Sequence, residues 1–387
     1  MPHVRRLARR VLRFFEPVVG AARAGVQYCR APLPRGQYVA LSTRPVVLLV
    51  YDFAINHPRA SFLQLLARLV PWRPHVYYVT SWYVHPGDLN RHLANLRRIE
   101  RACPGCTVTV IGQTAAETAL FTMRGLDALF CNQNAFADER IYRPLPDIGK
   151  RFMAVYDAKL ASYKRHALAR QVGGLALMGY QDLGIMEAAY AAATLRDFGD
   201  VHWFNDPRRS PDQWQLRDAD INTAYNQCRV GLCLSAVEGA MWTSIQYLLA
   251  GLPVVTTPSM GGRDEFFAAP YVRVVEPTAE AVADGVAQSA RLELDPATIR
   301  RLTLERMQTH RERFFAHVQK RFLAAGEDRH FAAEWRGVIP HRLTDTTLVG
   351  NDRKAAIATH DRGILAAAVT HAHPRTPAPA PARSEPP

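Results

Sequence analysis

Glu238 stands in the stretch of this chain best equipped for chemistry, Val230–Phe267, which reads VGLCLSAVEGAMWTSIQYLLAGLPVVTTPSMGGRDEFF. An apolar run ends at Ser235, as a buried strand does. A short loop with Glu238 and Gly239 then opens onto a helical stretch, Ala240–Ala250, closed by Gly251. Pro253–Thr256 is a further apolar run, and the loop after it, Ser259–Arg263, holds Gly261 and Gly262. Loops at the carboxyl ends of parallel strands are where open α/β sheets bind ligands. The free N–H groups of a helix start and the helix dipole favour an anion there. A diphosphate is a natural occupant.

The elements that would position this segment alternate along the chain. Val46–Tyr51, Val76–Thr80, Val108–Ile111 and Ala128–Cys131 are apolar runs suited to buried parallel strands. Helical stretches at Phe62–Val70, Leu89–Ala102 and Thr114–Met123 separate them. A second series has strands at Phe152–Tyr156, Leu175–Met178, Val201–Phe204, Val230–Leu234, Pro253–Thr256 and Val272–Val275. Its helices are expected at Leu160–Gln171, Met186–Ala193 and Ala240–Ala250, with a long one at Pro296–Ala324. Two such series predict an α/β protein of two Rossmann-like domains facing a cleft, hinged at Tyr142–Pro146. The expected divisions are 1–40 (a basic amphipathic segment), 41–145, 146–344 and 345–387 (a disordered Pro/Ala-rich tail).

Val230–Phe267 resembles the donor-binding signature of the glycosyltransferase group 1 family, also called family 4. Glu238 and Gly239 match its Ser-x-x-Glu-Gly loop, Gly251–Val255 its Gly-x-Pro-Val-Val strand entry, and Gly261 and Gly262 its later loop. The family places a second acid eight positions after the first, against the nucleotide ribose; here Gln246 takes that position. A glutamine has one acceptor oxygen, two donors and no charge. The family also grips the diphosphate with an Arg and a Lys five positions apart, after the first strand of its donor domain. Lys159 and Lys164 occupy those places, and two cations there would stabilise a leaving group as its charge builds. A looser match is Asn134–Pro144, NAFADERIYRP, which resembles the interdomain stretch of the family.

The resemblance implies the GT-B fold and a retaining, metal-independent sugar transfer from a nucleotide-diphosphate donor, with no cofactor. It implies catalytic roles for Glu238, Lys164 and Lys159, and donor contacts from Gly239, Ala240, Gln246, Gly261 and Gly262. A glycan or lipid-linked acceptor would enter from the N-terminal domain, where Asp52, His57 and His85 follow the first two strands and could face it. Trp82 and Tyr83 could stack on an acceptor or pack the domain interface. The final helices would cross back onto the first domain.

The formal charge of +13 favours anionic partners. The chain has no zinc-finger spacing and no RNA-binding aromatic signature, which argues against nucleic acid. Leu7, Val11, Phe14 and Val18 recur at helical spacing among Arg6, Arg9, Arg10 and Arg13, a pattern able to lie on an anionic membrane. Cysteines in apolar runs, such as Cys131 and Cys233, suit a reducing cytoplasm. Asp218–Ala219–Asp220 reads as a first helical turn and not a metal site, and Cys103–Pro104–Gly105–Cys106 as a turn. Two alternatives stay open: a catalytically weak sugar-nucleotide-binding protein, motivated by Gln246, and a basic membrane-surface module, motivated by the charge.

Overall fold

The computed structural model describes residues 38–56, 61–180, 187–206, 216–340, 343 and 362–370. The basic N-terminal helix and His57 lie outside the described residues. In the first domain the run Val46–Tyr51 forms β2, buried along its whole length. It follows β1 (Tyr38–Thr43), and β3 (His75–Val79), β4 (Thr107–Gly112) and β5 (Ala128–Phe130) complete a sheet of order β1-β2-β3-β4-β5. All neighbours are parallel except β1 and β2, which pair antiparallel. β1 lacks the continuous apolar run of its neighbours. It mixes Ser and Thr with apolar residues, as an edge strand can.

The connections are α1 (Asp52–Asn56), α2 (Ser61–Leu69), α3 (Leu89–Ala102) and α4 (Ala115–Thr122). Thr114 starts α4 by accepting the Glu117 N–H at 3.0 Å, which satisfies one of the open donors of a helix start.

The second sheet contains β6 (Phe152–Lys159), β7 (Leu175–Tyr180), β8 (His202–Asn205), β9 (Cys228–Cys233), β10 (Val254–Thr256) and β11 (Val272–Val274). Its order is β11-β10-β9-β6-β7-β8, parallel throughout. Around it lie α5 (Ala188–Asp197), α6 (Asp218–Asn226), α7 (Trp242–Leu249) and α8 (Ala279–Ala290). The chain runs outward from β6 to β8, then returns and runs outward the other way from β9 to β11. Neighbouring strands β6 and β9 therefore send their loops in opposite directions, and a crevice opens between them.

One expected helix is absent. Leu160–Gln171 forms two 3-10 turns, Ser162–Lys164 and His166–Ala169, parted by Arg165 at φ 53°. Tertiary bonds override the local helical pattern. The Tyr156 hydroxyl donates to the Lys164 carbonyl, and Arg165 donates to the Leu234 carbonyl at 2.6 Å and to Thr257 Oγ1 at 2.7 Å.

Helix α9 (Pro296–Ala324) joins the domains. Asp295 caps it by accepting from the N–H groups of Ala297 and Thr298, and Pro296 fits the first turn. Its 29 residues span about 44 Å. Near its start Arg300 donates to the Leu249 carbonyl at the end of α7. Further on, Phe314 packs on Tyr77 of β3, and His317 bonds the Tyr77 hydroxyl at 2.8 Å. Helix α10 (Phe331–Val338) continues onto β1, so the final helices do cross back. The connection near Tyr142–Pro146 is tied down: Arg143 and Leu145 donate their N–H groups to Asn222 and Asn226 of α6. One apolar core runs from Leu49 and Tyr51 through Phe136 to Val155, Leu248 and Phe314.

Residues 362–370, in the stretch expected to be disordered, are helical. Ile364 and Ala368 are buried in the first domain's core. The apolar spacing of this short segment is enough to cover the sheet's outer face. No helix among the described residues is long and apolar enough to cross a membrane.

Candidate active site at the sheet switch point

Lys164, in the turn after β6, and Glu238, in the loop after β9, meet at the switch point. Lys164 Nζ and Glu238 Oε1 form an ion pair, and both side chains are buried. The Lys164 ammonium also lies 5.1 Å from the centroid of the Tyr163 ring. Tyr163 in turn meets Trp82 of the first domain edge-on at 5.2 Å. Two residues 74 apart in sequence thus become one charged unit beneath an aromatic contact across the seam. Lys159 ends β6 and is half-buried, on a strand and not at a helix start.

The glycines of the two loops hold the seam. A Cβ on Gly239 would lie 2.3 Å from the Ser81 carbonyl oxygen of the first domain. A Cβ on Gly262 would lie 2.7 Å from Asn132 Nδ2, and the Gly262 carbonyl accepts from that amide at 2.8 Å. Gly261 has φ 100°, and its Cβ would fall 1.8 Å from the Glu238 carbonyl oxygen. The need for glycine at these positions comes from backbone approach between loops and domains. The Ala240 carbonyl accepts from Asn134 Nδ2 at 2.5 Å, which links the stretch Asn134–Pro144 to the start of α7.

Gly261→Ala combines a left-handed backbone with a hard contact, and we expect it to cost about 3 kcal/mol. Gly105→Ala is the control: φ is 80° there, but nothing lies within 4 Å of its Cβ. It should cost about 1 kcal/mol, read from urea midpoints.

Arg263, absent from the sequence-based candidates, is fully buried. Its guanidinium donates to the carbonyls of Cys233 (3.0 Å), Ser235 (2.6 Å) and Thr257 (2.6 Å), and pairs with Asp264 at 2.6 Å. It therefore fixes the ends of β9 and β10, from which both loops spring. The signal for it was an arginine inside a glycine loop. Gln246 sits on α7, buried, with Oε1 3.3 Å from the Tyr225 hydroxyl.

Two of the first-domain candidates, Asp52 and His85, hold turns after the strands. Asp52 is buried and braces the loop after β3: its carboxylate accepts from the Ser81 N–H at 3.2 Å and from the Ser81 hydroxyl, and faces Arg91 at 3.6 Å. His85 is exposed and caps a turn by accepting the Gly87 N–H at 3.0 Å. Both arrangements have one cause: polar residues at strand ends are used to tie down turns. Glu117 braces the same loop by accepting the Val84 N–H at 3.1 Å, and burial raises its pKa. Trp82 and Tyr83 belong to the seam, against Tyr163 and Gly261.

Asp218 accepts from the Tyr142 hydroxyl and Asp220 pairs with Arg217, in the first turn of α6. Among the described residues no cluster of three metal-ligating side chains forms. Cys106 donates its N–H to the Cys103 carbonyl in a turn, and burial pushes its thiol up to about 12.

Two buried histidines limit the fold in acid. Burial, then the charge of Arg321, lowers His75 to about 3; burial, then Lys164, lowers His166 to about 3. Unfolded histidine titrates near 6.5, so at pH 5 the unfolded chain binds protons that the fold refuses. This stability is full above about pH 6.5 and is lost as pH falls towards 3. Each histidine loses about 2 kcal/mol by pH 5. Urea unfolding at pH 7.5 and pH 5 should show the loss, and His166→Gln should remove about 2 kcal/mol of it.

The two sheets, the switch-point site and the crossing helix define the GT-B architecture. HepE of Anabaena, solved with UDP and glucose, superposes with TM-score 0.51 at 16% identity, over 70% of this chain and 77% of that one. Sucrose-phosphate synthase of Thermosynechococcus elongatus superposes with TM-score 0.47 at 15% identity, over 70% and 81%. No protein-family model and no curated protein matches the sequence.

Proposed function

We propose that this chain is a retaining glycosyltransferase that takes a sugar from a nucleotide-diphosphate donor and passes it to a glycan or lipid-linked acceptor. The observation that carries the reading is the buried Lys164–Glu238 pair at the β6/β9 switch point. The diphosphate would lie over Lys164 and Lys159, near the start of α7, and Glu238 would orient the transferred sugar through its hydroxyls. The acceptor hydroxyl oxygen bonds to the anomeric carbon on the face the diphosphate leaves. The bond from that carbon to the diphosphate oxygen breaks with its electron pair, and the acceptor's proton passes to the departing oxygen. Lys164 and Lys159 stabilise that charge in place of a metal. HepE, which shares this fold, was solved with UDP and glucose, which makes UDP-sugars the first donors to offer.

The setting we infer is cytoplasmic, in surface polysaccharide assembly, with Met1–Arg30 touching an anionic membrane surface. The test is chromatography of free nucleoside diphosphate after incubation with UDP-, GDP-, ADP- or TDP-sugars, with and without glycan acceptors. Release that disappears in Glu238→Gln supports the reading. Binding without release from any pairing would favour the catalytically weak alternative.

A further inference from the structure

The cation expected to meet the diphosphate is already engaged within the protein. Lys164 Nζ pairs with Glu238 Oε1, and the two side chains are only 7% and 5% exposed. Among the described residues neither forms an ion pair with any other side chain. The neighbouring cations offer Glu238 no substitute. The Arg165 guanidinium is held by the Leu234 carbonyl and the Thr257 hydroxyl, and that of Arg263 by three carbonyls and Asp264. Both backbones are pinned as well. The Lys164 carbonyl accepts from the Tyr156 hydroxyl, and the Glu238 N–H donates to the Met260 carbonyl at 3.0 Å. The pair therefore opens by movement of the side chains, and a diphosphate competes with Glu238 for one ammonium.

An ammonium has three donors, but sharing them would set a carboxylate and a phosphate side by side. Like charges repel strongly where water is excluded, so a diphosphate on Lys164 displaces Glu238. A displaced buried carboxylate must find other donors or carry the cost of an unpaired charge. The sugar of an intact donor supplies them through its hydroxyls; a bare nucleoside diphosphate does not. We propose that the Lys164–Glu238 pair is a self-inhibitory contact. The intact nucleotide-sugar relieves it by satisfying both partners. The nucleoside diphosphate left after transfer satisfies Lys164 alone and is expelled as Glu238 takes the lysine back. Glu238 then has a role in product release besides orienting the sugar. The inference rests on the glycosyltransferase reading above.

The experiment is calorimetric titration of UDP, GDP, ADP and TDP into wild type, Glu238→Gln and the Lys164→Met/Glu238→Gln double variant. The diphosphate that binds should bind Glu238→Gln at least about 10-fold more tightly than wild type, although this variant does not turn donor over. The amide no longer competes as a charge, and the stranded ammonium gains a partner. The gain should appear as slower dissociation, and it should vanish in the double variant, since it acts through Lys164. Equal or weaker binding by Glu238→Gln, or a gain that persists without Lys164, overturns the inference and leaves the donor site standing. If Glu238→Gln does not fold, Glu238→Asp decides. Its carboxylate is one methylene short of the pinned lysine, and the diphosphate should bind it at least about 3-fold more tightly than wild type; equal or weaker binding overturns the inference. If wild type and variants bind none of the nucleotides, the reading beneath falls, and the competition with it.

Discussion

Replacing Lys164 by Met, or Glu238 by Gln, should lower stability by about 3 kcal/mol in each case, and making both replacements should recover most of it. The pair is buried on both sides, so either single change strands one polar or charged group away from water. The double variant strands no charge and leaves only a neutral amide at 238 opposite the methionine at 164, which costs less than an unpaired buried charge. Function should follow a different pattern. All three variants should lose donor turnover, because the cation that meets the diphosphate or the carboxylate that orients the sugar is gone. Urea unfolding and product release measured on the same samples separate the two effects. A double variant as unstable as the singles would mean that Lys164 and Glu238 act through other partners.

Arg263→Met should be the most damaging single change outside the pair, costing about 4 kcal/mol or preventing folding. It would leave the carbonyls of Cys233, Ser235 and Thr257 without the guanidinium that each accepts from. A buried acceptor left unpaired costs about 1–3 kcal/mol. The Ser235 carbonyl would be left so, while Cys233 keeps the Thr256 hydroxyl at 2.9 Å and Thr257 the same hydroxyl at 3.3 Å. The space of a buried guanidinium is lost with its bonds. Arg263→Lys should recover little, because one ammonium on a flexible stem cannot span acceptors that a planar fork reaches. Solubility and far-ultraviolet dichroism of the two variants check this. A lysine variant with wild-type stability would show that charge alone suffices.

The long buried elements were legible because one pattern governs them. Val46–Tyr51 and Pro296–Ala324 have the boundaries their apolar and capping residues imply. Leu160–Gln171 was misread because its turns are decided by Tyr156, Leu234 and Thr257, contacts that local spacing does not carry. Lys164 and Glu238 each follow a strand end, and the fold brings the two side chains together. The positions of Gly239, Gly261 and Gly262 were legible too, but the reason for glycine there was not, because Ser81, Asn132 and Tyr83 come from the other domain. His85 and Asp52 show that a strand end supplies turn-forming residues as readily as reactive ones.

The central claim is that the β6/β9 switch point holds a nucleotide-sugar through Lys164 and Glu238. Thermal unfolding of wild type and of the Lys164→Met/Glu238→Gln double variant, each with UDP-, GDP-, ADP- and TDP-sugars, tests it most directly. A donor at one hundred times its dissociation constant adds about 2.7 kcal/mol, a readable rise in midpoint. The account predicts that rise for one nucleotide class in wild type and none in the folded double variant. A folded wild type that no donor shifts, or an equal shift in both proteins, would contradict it.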